Sequence, residues 1–231
     1  MNKHIFITGT GTDVGKTYVS GLLLKRMHEL GWSSCYYKAA MSGNIRDTEG
    51  KLIPGDALCV KNISGIPQDI DTMCPYVYEN AVSPHLASRI EGNPVKMKVV
   101  KEQFHKLCGQ YDYTVVEGSG GILCPLGFDE EKIQLEDVVK ELSLASLIVA
   151  DAGLGTINYV VLTVEYMKQK KLPIHGLIFN HYHPGNVMEE DNIKMCELMT
   201  GIPCVARVKA DDSEMAISEE ALRKIFEAEM A

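Results

Sequence analysis

A glycine-rich stretch near the N-terminus constrains the fold more than any other feature of the chain. Residues 9–17 read GTGTDVGKT; they follow the apolar run 5–8 and open an amphipathic helical pattern that begins at Thr17. A strand, such a loop and a helix in this order cradle phosphates, because backbone N–H groups at the helix start point at the anion. The usual spacing, Gly-x4-Gly-Lys-Ser/Thr, would place glycine at position 10. Here it stands at Gly9, so the loop is a variant.

The loop predicts a bound nucleotide and a magnesium ion. In such loops the lysine contacts the β- and γ-phosphates, and the hydroxyl that follows it reaches Mg²⁺. We therefore assign Lys16 to the phosphates and Thr17 to the metal. The loop residues predicted to bind the nucleotide are Gly11, Thr12, Asp13, Val14, Gly15, Lys16 and Thr17.

The rest of the chain alternates between apolar, strand-like runs and helical patterns. Strands are predicted at residues 5–8, 35–38, 114–117, 147–150, 177–180 and 204–208. Helices are predicted at 17–30, 94–107, 189–200 and 218–229, with a further start at Ser83-Pro84, where serine would be the N-cap. Residues 156–167 are rich in β-branched side chains, which favour a strand, but their length and their place between two strands favour a helix.

This alternation predicts an α/β fold: one domain over residues 1–231, with a mostly parallel, twisted sheet and helices on both faces, of the P-loop type. Several predicted strands are continuously apolar, which is typical of strands covered on both faces. The polar stretch 39–55 is predicted to be an active-site loop.

Composition excludes several other classes of function. No apolar run reaches the roughly 18 residues of a membrane-spanning helix, and the N-terminus lacks the apolar segment of a signal peptide, so we expect a cytoplasmic protein. A net charge of -8 disfavours nucleic acids and anionic membranes as partners. The seven cysteines are scattered without a Cys-x-x-Cys pair, which indicates reduced thiols, and Cys124 is interpreted as a packing residue. His181 and His183 have no third ligand in view, which disfavours a metal site there.

Three charged residues at predicted element ends are candidates for the chemistry. Glu117 ends a strand, where a P-loop enzyme places its second acidic residue, or it is an ordinary solvated side chain. Asp56 starts a helix, so it either binds the metal or caps that helix. Lys38 ends the second strand, where it could neutralise a phosphoryl-transfer transition state or simply be solvated.

An ordered set of motifs resembles the dethiobiotin synthetase family over residues 3–210. The set is Thr-Gly-x4-Val-Gly-Lys-Thr at 8–17, Tyr-Lys-x3-Ser-Gly at 37–43, Asp56, Ser-Pro-His at 83–85, Val-Val-Glu-Gly-x-Gly-Gly at 115–121, Leu-Gly-x-Ile-Asn at 154–158 and Asn180. The chain departs from the family pattern at Asp13, Ala39 and Ser119, where Glu, Pro and Ala are common.

The resemblance implies a function and a role for each matching residue. The family joins 7,8-diaminononanoate, CO₂ and ATP into dethiobiotin, ADP and phosphate through a carbamate and its mixed anhydride with phosphate. By resemblance, Lys16, Lys38 and Thr12 are catalytic, Thr17, Asp56 and Glu117 hold Mg²⁺, and Asn180 reads the base. Substrate would contact Ser42, Gly118, Leu154, Gly155 and Asn158.

The resemblance also implies a homodimer with shared active sites, in which the second subunit supplies the turn at 154–158. The apolar residues Ile157, Val160, Val161 and Val164 would then lie in the interface rather than in the core.

Two other functions fit the same loop. One is a regulatory or partition ATPase that acts through protein partners, but such proteins carry an extra lysine early in the loop, and none lies between Lys3 and Lys16. The other is a small-molecule kinase, which usually brings arginines to the transferred phosphoryl group. The five arginines of this chain are scattered, at 26, 46, 89, 207 and 223.

Overall fold

The structure is a computed structural model and describes residues 3–227. Its strands are β1 (Lys3–Gly9), β2 (Ser34–Lys38), β3 (Ala40–Met41), β4 (Ile45–Arg46), β5 (Leu52–Ile53), β6 (Tyr76–Val77), β7 (Tyr113–Gly121), β8 (Pro125–Phe128), β9 (Lys132–Gln134), β10 (Ala145–Asp151), β11 (Ile174–Asn180) and β12 (Cys204–Arg207). Its helices are α1 (Lys16–Glu29), α2 (Gly55–Ser64), α3 (Pro84–Ile90), α4 (Met97–Cys108), α5 (Leu135–Glu141), α6 (Thr156–Gln169), α7 (Val187–Thr200) and α8 (Glu219–Glu227), with a 3₁₀ turn at Ile70–Thr72.

Six strands form one parallel sheet in the order β12-β11-β10-β1-β7-β2. The chain leaves β1 towards β2 and β7 on one side and later returns to β10 on the other side. In open parallel sheets a crevice forms at the carboxyl ends of the strands where the winding reverses, and ligands bind there. The loop at residues 9–17 follows β1, so it lies at this crevice.

Two apolar layers cover the sheet because alternate residues of each strand point to opposite faces. Phe6 packs in a layer with α4, α5, α6 and α7, whereas Ile5 and Ile7 pack in the other layer with α1, α2 and α8. Burial on both faces explains the continuous apolar runs, and the prediction of a parallel sheet between helices is confirmed.

The six predicted strands are the six strands of this sheet, with ends that differ by a few residues, and residues 156–167 do form a helix. Ser83 is the N-cap of α3 as predicted, but its hydroxyl makes no capping hydrogen bond. The stretch 39–55, predicted as a loop, contains the short strands β3, β4 and β5. Helix α5 was not predicted, and residues 228 and 229 of the last predicted helix lie outside the described residues. Within residues 3–227 no helix combines the length and the apolarity needed to cross a membrane.

Candidate active site

The glycine-rich loop is shaped by a left-handed residue at its end. Gly15 is the N-cap of α1 with φ 86°, a conformation that glycine adopts without steric cost. A Cβ at this position would lie 2.0 Å from Asn180 Nδ2, so glycine is also required by the close approach of that side chain. Asn180 Nδ2 donates a hydrogen bond of 3.1 Å to the Val14 carbonyl. Asn180, at the end of β11, therefore supports the glycine-rich loop.

Lys16 is folded back over the loop that precedes it. Its Nζ donates a 2.8 Å hydrogen bond to the Gly11 carbonyl, and the residue is buried. Burial and the positive charge of Lys38 lower the pKa of Lys16 below its ordinary value. A negative charge placed beside Lys16 would act in the opposite direction, because it stabilises the charged form of the ammonium group.

Lys38 joins two carboxylates from different elements. Its Nζ lies 2.6 Å from Asp56 Oδ2 at the start of α2 and 2.7 Å from Glu117 Oε1 on β7. Lys38 and Glu117 are partners in the β2–β7 register, which accounts for their meeting at the crevice. Burial opposes the charge on Lys38, but the two carboxylates outweigh it and hold the pKa of Lys38 above its ordinary value.

Glu117 is buried and accepts hydrogen bonds on both oxygens. Its Oε1 accepts from the Thr17 hydroxyl at 2.8 Å as well as from Lys38, and its Oε2 accepts from the Tyr36 hydroxyl at 3.0 Å. Burial and the adjacent Glu117 carboxylate raise the pKa of Tyr36, which keeps the phenol protonated as a donor. The alternatives of a solvated Glu117 and a solvated Lys38 are therefore wrong. Asp56 as an N-cap is wrong too, because Pro54 holds that position.

These groups open onto one cavity of about 990 Å³. The predicted site residues that line it are Thr12, Asp13, Gly15, Lys16, Thr17, Lys38, Ser42, Asp56 and Glu117. The cavity is also lined by residues that were not predicted to belong to the site, namely Tyr18, Met41, Gly43, Cys59, Ala81, Val82, Ser83, Pro84, Ser119 and Gly120. Ser83 and Pro84 belong to the Ser-Pro-His motif at 83–85, so this motif could have predicted that the start of α3 lines the cavity.

The remaining predicted site residues lie outside the cavity. Gly118 is buried against Phe6 and Leu135, where a Cβ would come within 2.8 Å of the phenylalanine ring. Asn180 is buried beneath the loop, and its Oδ1 accepts no hydrogen bond from the part of the chain that the structure describes. Gly11 and Val14 contribute their carbonyls to the contacts with Lys16 and Asn180 rather than lining the cavity.

The turn with Leu154, Gly155 and Asn158 lies after β10 at the start of α6, and none of the three residues lines the cavity of its own chain. Leu154 is 88% exposed. The expectation that Val160 and Val164 lie in an interface is wrong, because both are fully buried in this chain's own core. Tyr159 and Leu162 are the exposed apolar residues of this helix, since the 3.6-residue period turns them away from the sheet.

The two histidines after β11 and the cysteine Cys124 have partners or properties that do not indicate a metal site or a nucleophile. His181 pairs with Asp151 at 2.7 Å and His183 pairs with Glu189 at 2.9 Å, so each histidine has its own carboxylate partner. Cys124 lines the cavity, but burial raises the pKa of its thiol although Lys16 and Lys38 oppose this. Cys124 is therefore a thiol at neutral pH, in agreement with a packing role.

The oxygens around Lys38 fit a magnesium ion bound together with phosphates. Asp56 Oδ2 and Glu117 Oε1 converge on one cationic position, and the Thr17 hydroxyl is hydrogen-bonded to the same Glu117 oxygen. Among residues 3–227 no three His, Cys, Asp or Glu side chains cluster as a metal cage. A hard donor set of two carboxylates and one hydroxyl is what Mg²⁺ takes from a protein when phosphates and water complete its octahedron.

Comparison with known proteins shows first the fold class of the chain and then its family. A family model described as an AAA domain matches residues 3–217. A ParA family ATPase from Chlorobium tepidum superposes with a TM-score of 0.55 at 15% identity over 97% of this chain and 89% of its own. The MinC:MinD cell division protein complex of Aquifex aeolicus gives a TM-score of 0.54 at 14% identity, over 97% and 93% of the two chains. At these identities the likeness shows the fold alone.

The sheet order, the loop after β1 and the lysine that opens α1 define an α/β protein of the P-loop nucleotide-binding class. An ATP-dependent dethiobiotin synthetase BioD from Brachyspira hyodysenteriae is 48% identical over 98% of this chain and 100% of its own length. Another from Clostridium novyi is 44% identical over 98% and 94% of the two chains. The chain belongs to the ATP-dependent dethiobiotin synthetase family.

Proposed function

We propose that this chain uses ATP to close the ureido ring of dethiobiotin from 7,8-diaminononanoate and CO₂, releasing ADP and phosphate. The observation that carries the proposal is the convergence of Lys16, Lys38, Asp56 and Glu117 on one cavity in a member of this family. We infer that residues 1–231 form a single domain that acts in the cytoplasm.

The reaction needs positioning and charge neutralisation rather than a covalent protein nucleophile. One substrate amine takes up CO₂ as a carbamate, a carbamate oxygen attacks the γ-phosphorus, and the second amine then displaces phosphate to close the ring. Lys16 and Lys38 would neutralise the charge on the transferred phosphoryl group and on the carbamate, which is worth several kcal/mol in a site that excludes water. Thr12 and Ser42, which line the same cavity, would hydrogen-bond the reacting groups.

The glycine-rich loop and Asn180, which contacts it, would bind the nucleotide. The backbone of residues 11–17 would hold the phosphates, with Lys16 released from the Gly11 carbonyl to reach them. Thr17, Asp56 and Glu117 would hold Mg²⁺, which supplies further positive charge at the phosphates when it is bound. Asn180 would contact the base through Oδ1, the amide atom that no described residue engages. Gly118 remains a proposed substrate neighbour through its backbone, beside the cavity residues Glu117 and Ser119.

The substrate carboxylate would be bound by a second subunit of a homodimer. The α6 start at Gly155, with φ 92°, offers N–H groups and a positive dipole end, as anion sites at helix starts do. It lies after β10, outside the cavity of its own chain. Exposed Leu154, Tyr159 and Leu162 would occupy the interface, and Asn158 would contact the substrate. A long substrate could then place its amines at one chain's cavity and its carboxylate at the other's helix.

A partition ATPase has the same fold, but two observations count against that function for this chain. The loop between Gly9 and Gly15 carries no lysine, and the similarity to dethiobiotin synthetases is three times that to the ParA family ATPase, at 48% against 15% identity. Both observations favour the ligase.

The test is phosphate release with the complete mixture and with each component omitted in turn. A ligase requires diaminononanoate, bicarbonate and ATP together, and free phosphate appears in step with dethiobiotin. A partition ATPase hydrolyses ATP without diaminononanoate. A kinase forms a stable phosphorylated product without free phosphate.

A further inference from the structure

A buried phenol on β2 contacts the candidate metal-binding carboxylate from outside the cavity. Tyr36 is fully buried and donates a 3.0 Å hydrogen bond to Glu117 Oε2. It precedes Lys38 by two residues on the same strand, so both side chains point to the same face of the sheet. The phenol therefore approaches Glu117 from the protein interior, whereas Lys38 approaches it from the cavity.

The two oxygens of Glu117 are divided between these environments. Oε1 accepts from Thr17 and Lys38, which line the cavity, and Oε2 accepts from Tyr36, which does not. The terminal torsion of a glutamate has a broad energy profile, so a carboxylate without a partner on its inner oxygen would be less restricted in its rotation. The phenol fixes that rotation and leaves Oε1 directed at the cavity.

The backbone of Tyr36 is held by the side chain of Gln68, which makes the hydrogen bonds that a neighbouring strand would otherwise make. Strand β2 is at the edge of the sheet, and Gln68 covers its outer side. The Tyr36 backbone N–H donates to Gln68 Oε1 at 2.7 Å, and Gln68 Nε2 donates to the Tyr36 carbonyl at 3.0 Å. Gln68 is also buried, so these two bonds fix the strand at the residue that carries the phenol.

We propose that Tyr36 is a positioning residue that orients Glu117 for a divalent cation at the nucleotide phosphates. The proposal rests on the proposed function, since it assumes the cation that accompanies ATP. Partners that orient a metal-binding side chain commonly change metal affinity by 10–100-fold when they are removed. Tyr36 has the geometry of such a partner.

The test compares Tyr36→Phe with Tyr37→Phe in metal binding. Tyr37 is the matched control, because it is the next residue on β2, is equally buried and donates its hydroxyl to the Val100 carbonyl at 2.9 Å on the opposite face. Mn²⁺ binding to the full chain saturated with ADP is measured by electron paramagnetic resonance, and thermal unfolding of both variants is followed without metal. We expect Tyr36→Phe to weaken Mn²⁺ binding about tenfold and Tyr37→Phe to leave it unchanged.

A double-mutant cycle with Glu117→Gln separates positioning from a general loss of stability. If Tyr36 acts through Glu117, then Tyr36→Phe has no further effect on Mn²⁺ affinity in the Glu117→Gln background. Unchanged Mn²⁺ affinity in Tyr36→Phe, an equal loss in Tyr37→Phe, or a full effect in the Glu117→Gln background would each overturn the proposal. No diaminononanoate enters these measurements, so their outcome is independent of the ligase assay.

Discussion

Lys38 and Glu117 are register partners on neighbouring parallel strands, and their side chains form a buried ion pair of 2.7 Å. Asp56 adds a second carboxylate at 2.6 Å from the same ammonium group. The lysine neutralises both carboxylates. We propose that a cation bound between the carboxylates takes over part of that neutralisation. The lysine would then be released towards the phosphoryl group.

Replacing Lys38 should affect both turnover and stability. In Lys38→Met we expect turnover to fall by orders of magnitude, and metal-free stability to fall by about 3 kcal/mol, because a buried carboxylate loses its partner. The double variant with Glu117→Gln should recover the stability but not the turnover. Urea denaturation and phosphate release measure the two effects, and near-normal turnover in Lys38→Met would remove this lysine from the mechanism.

The contact between Gly15 and Asn180 predicts that alanine at position 15 destabilises the fold much more than alanine at position 11. Gly15→Ala should cost about 1–3 kcal/mol of stability, because a Cβ would clash with the amide at 2.0 Å and φ is positive. It should also impair ATP binding. Gly11→Ala is the control for stability, since no atom lies within 4 Å of its added Cβ, and it should change stability by less than about 0.5 kcal/mol. Equal stability of the two variants would contradict the contact.

Activity should depend on a divalent cation. Exhaustive chelation should abolish phosphate release, and Mg²⁺ alone should restore it, because Thr17, Asp56 and Glu117 offer hard oxygen ligands. Thr17→Ala should raise the Mg²⁺ concentration needed for half-maximal rate, whereas Thr17→Ser keeps the hydroxyl and should not. Full activity after chelation would refute the metal assignment.

Shared active sites predict complementation between two defective chains. Asn158→Ala should weaken diaminononanoate binding and leave ATP binding close to normal, because this residue lies at a different strand end from the loop. Inactive Lys16→Ala chains mixed with chains inactivated at the 154–158 turn should regain activity on subunit exchange, as each hybrid dimer has one intact composite site. A fully active protein that sedimentation shows to be monomeric at assay concentration would contradict this arrangement.

His4 should make stability decrease on mild acidification. Burial and the neighbouring His105 lower the pKa of His4 below the ordinary value of 6.5. Between the folded and the unfolded pKa the unfolded chain binds more protons, so stability is fully present above about pH 6.5 and is lost as the pH falls below it. His4→Gln should flatten this dependence in urea denaturation, whereas exposed His28→Gln should leave it unchanged. The prediction fails if His4→Gln retains the full slope.

Local sequence patterns were enough to predict the six strands of the main sheet, most of the helices and the phosphate loop. A loop that must present backbone N–H groups needs glycines at fixed positions, and strands buried on both faces need continuous apolar runs, so both leave local patterns. The ends of those runs placed Lys38 and Glu117 at the edge of the sheet where ligands bind.

Which of these residues contact each other depends on how distant segments of the chain pair and pack. The β2–β7 register, a pairing of segments about 80 residues apart, puts Lys38 opposite Glu117 and brings Tyr36 to the inner oxygen. The apolar pattern of α6 did not distinguish the core residues Val160 and Val164 from exposed Tyr159 and Leu162. An apolar side chain is more stable out of water, but its hydrophobicity does not show what covers it. Only the packing of distant segments determines whether this chain's own sheet does so.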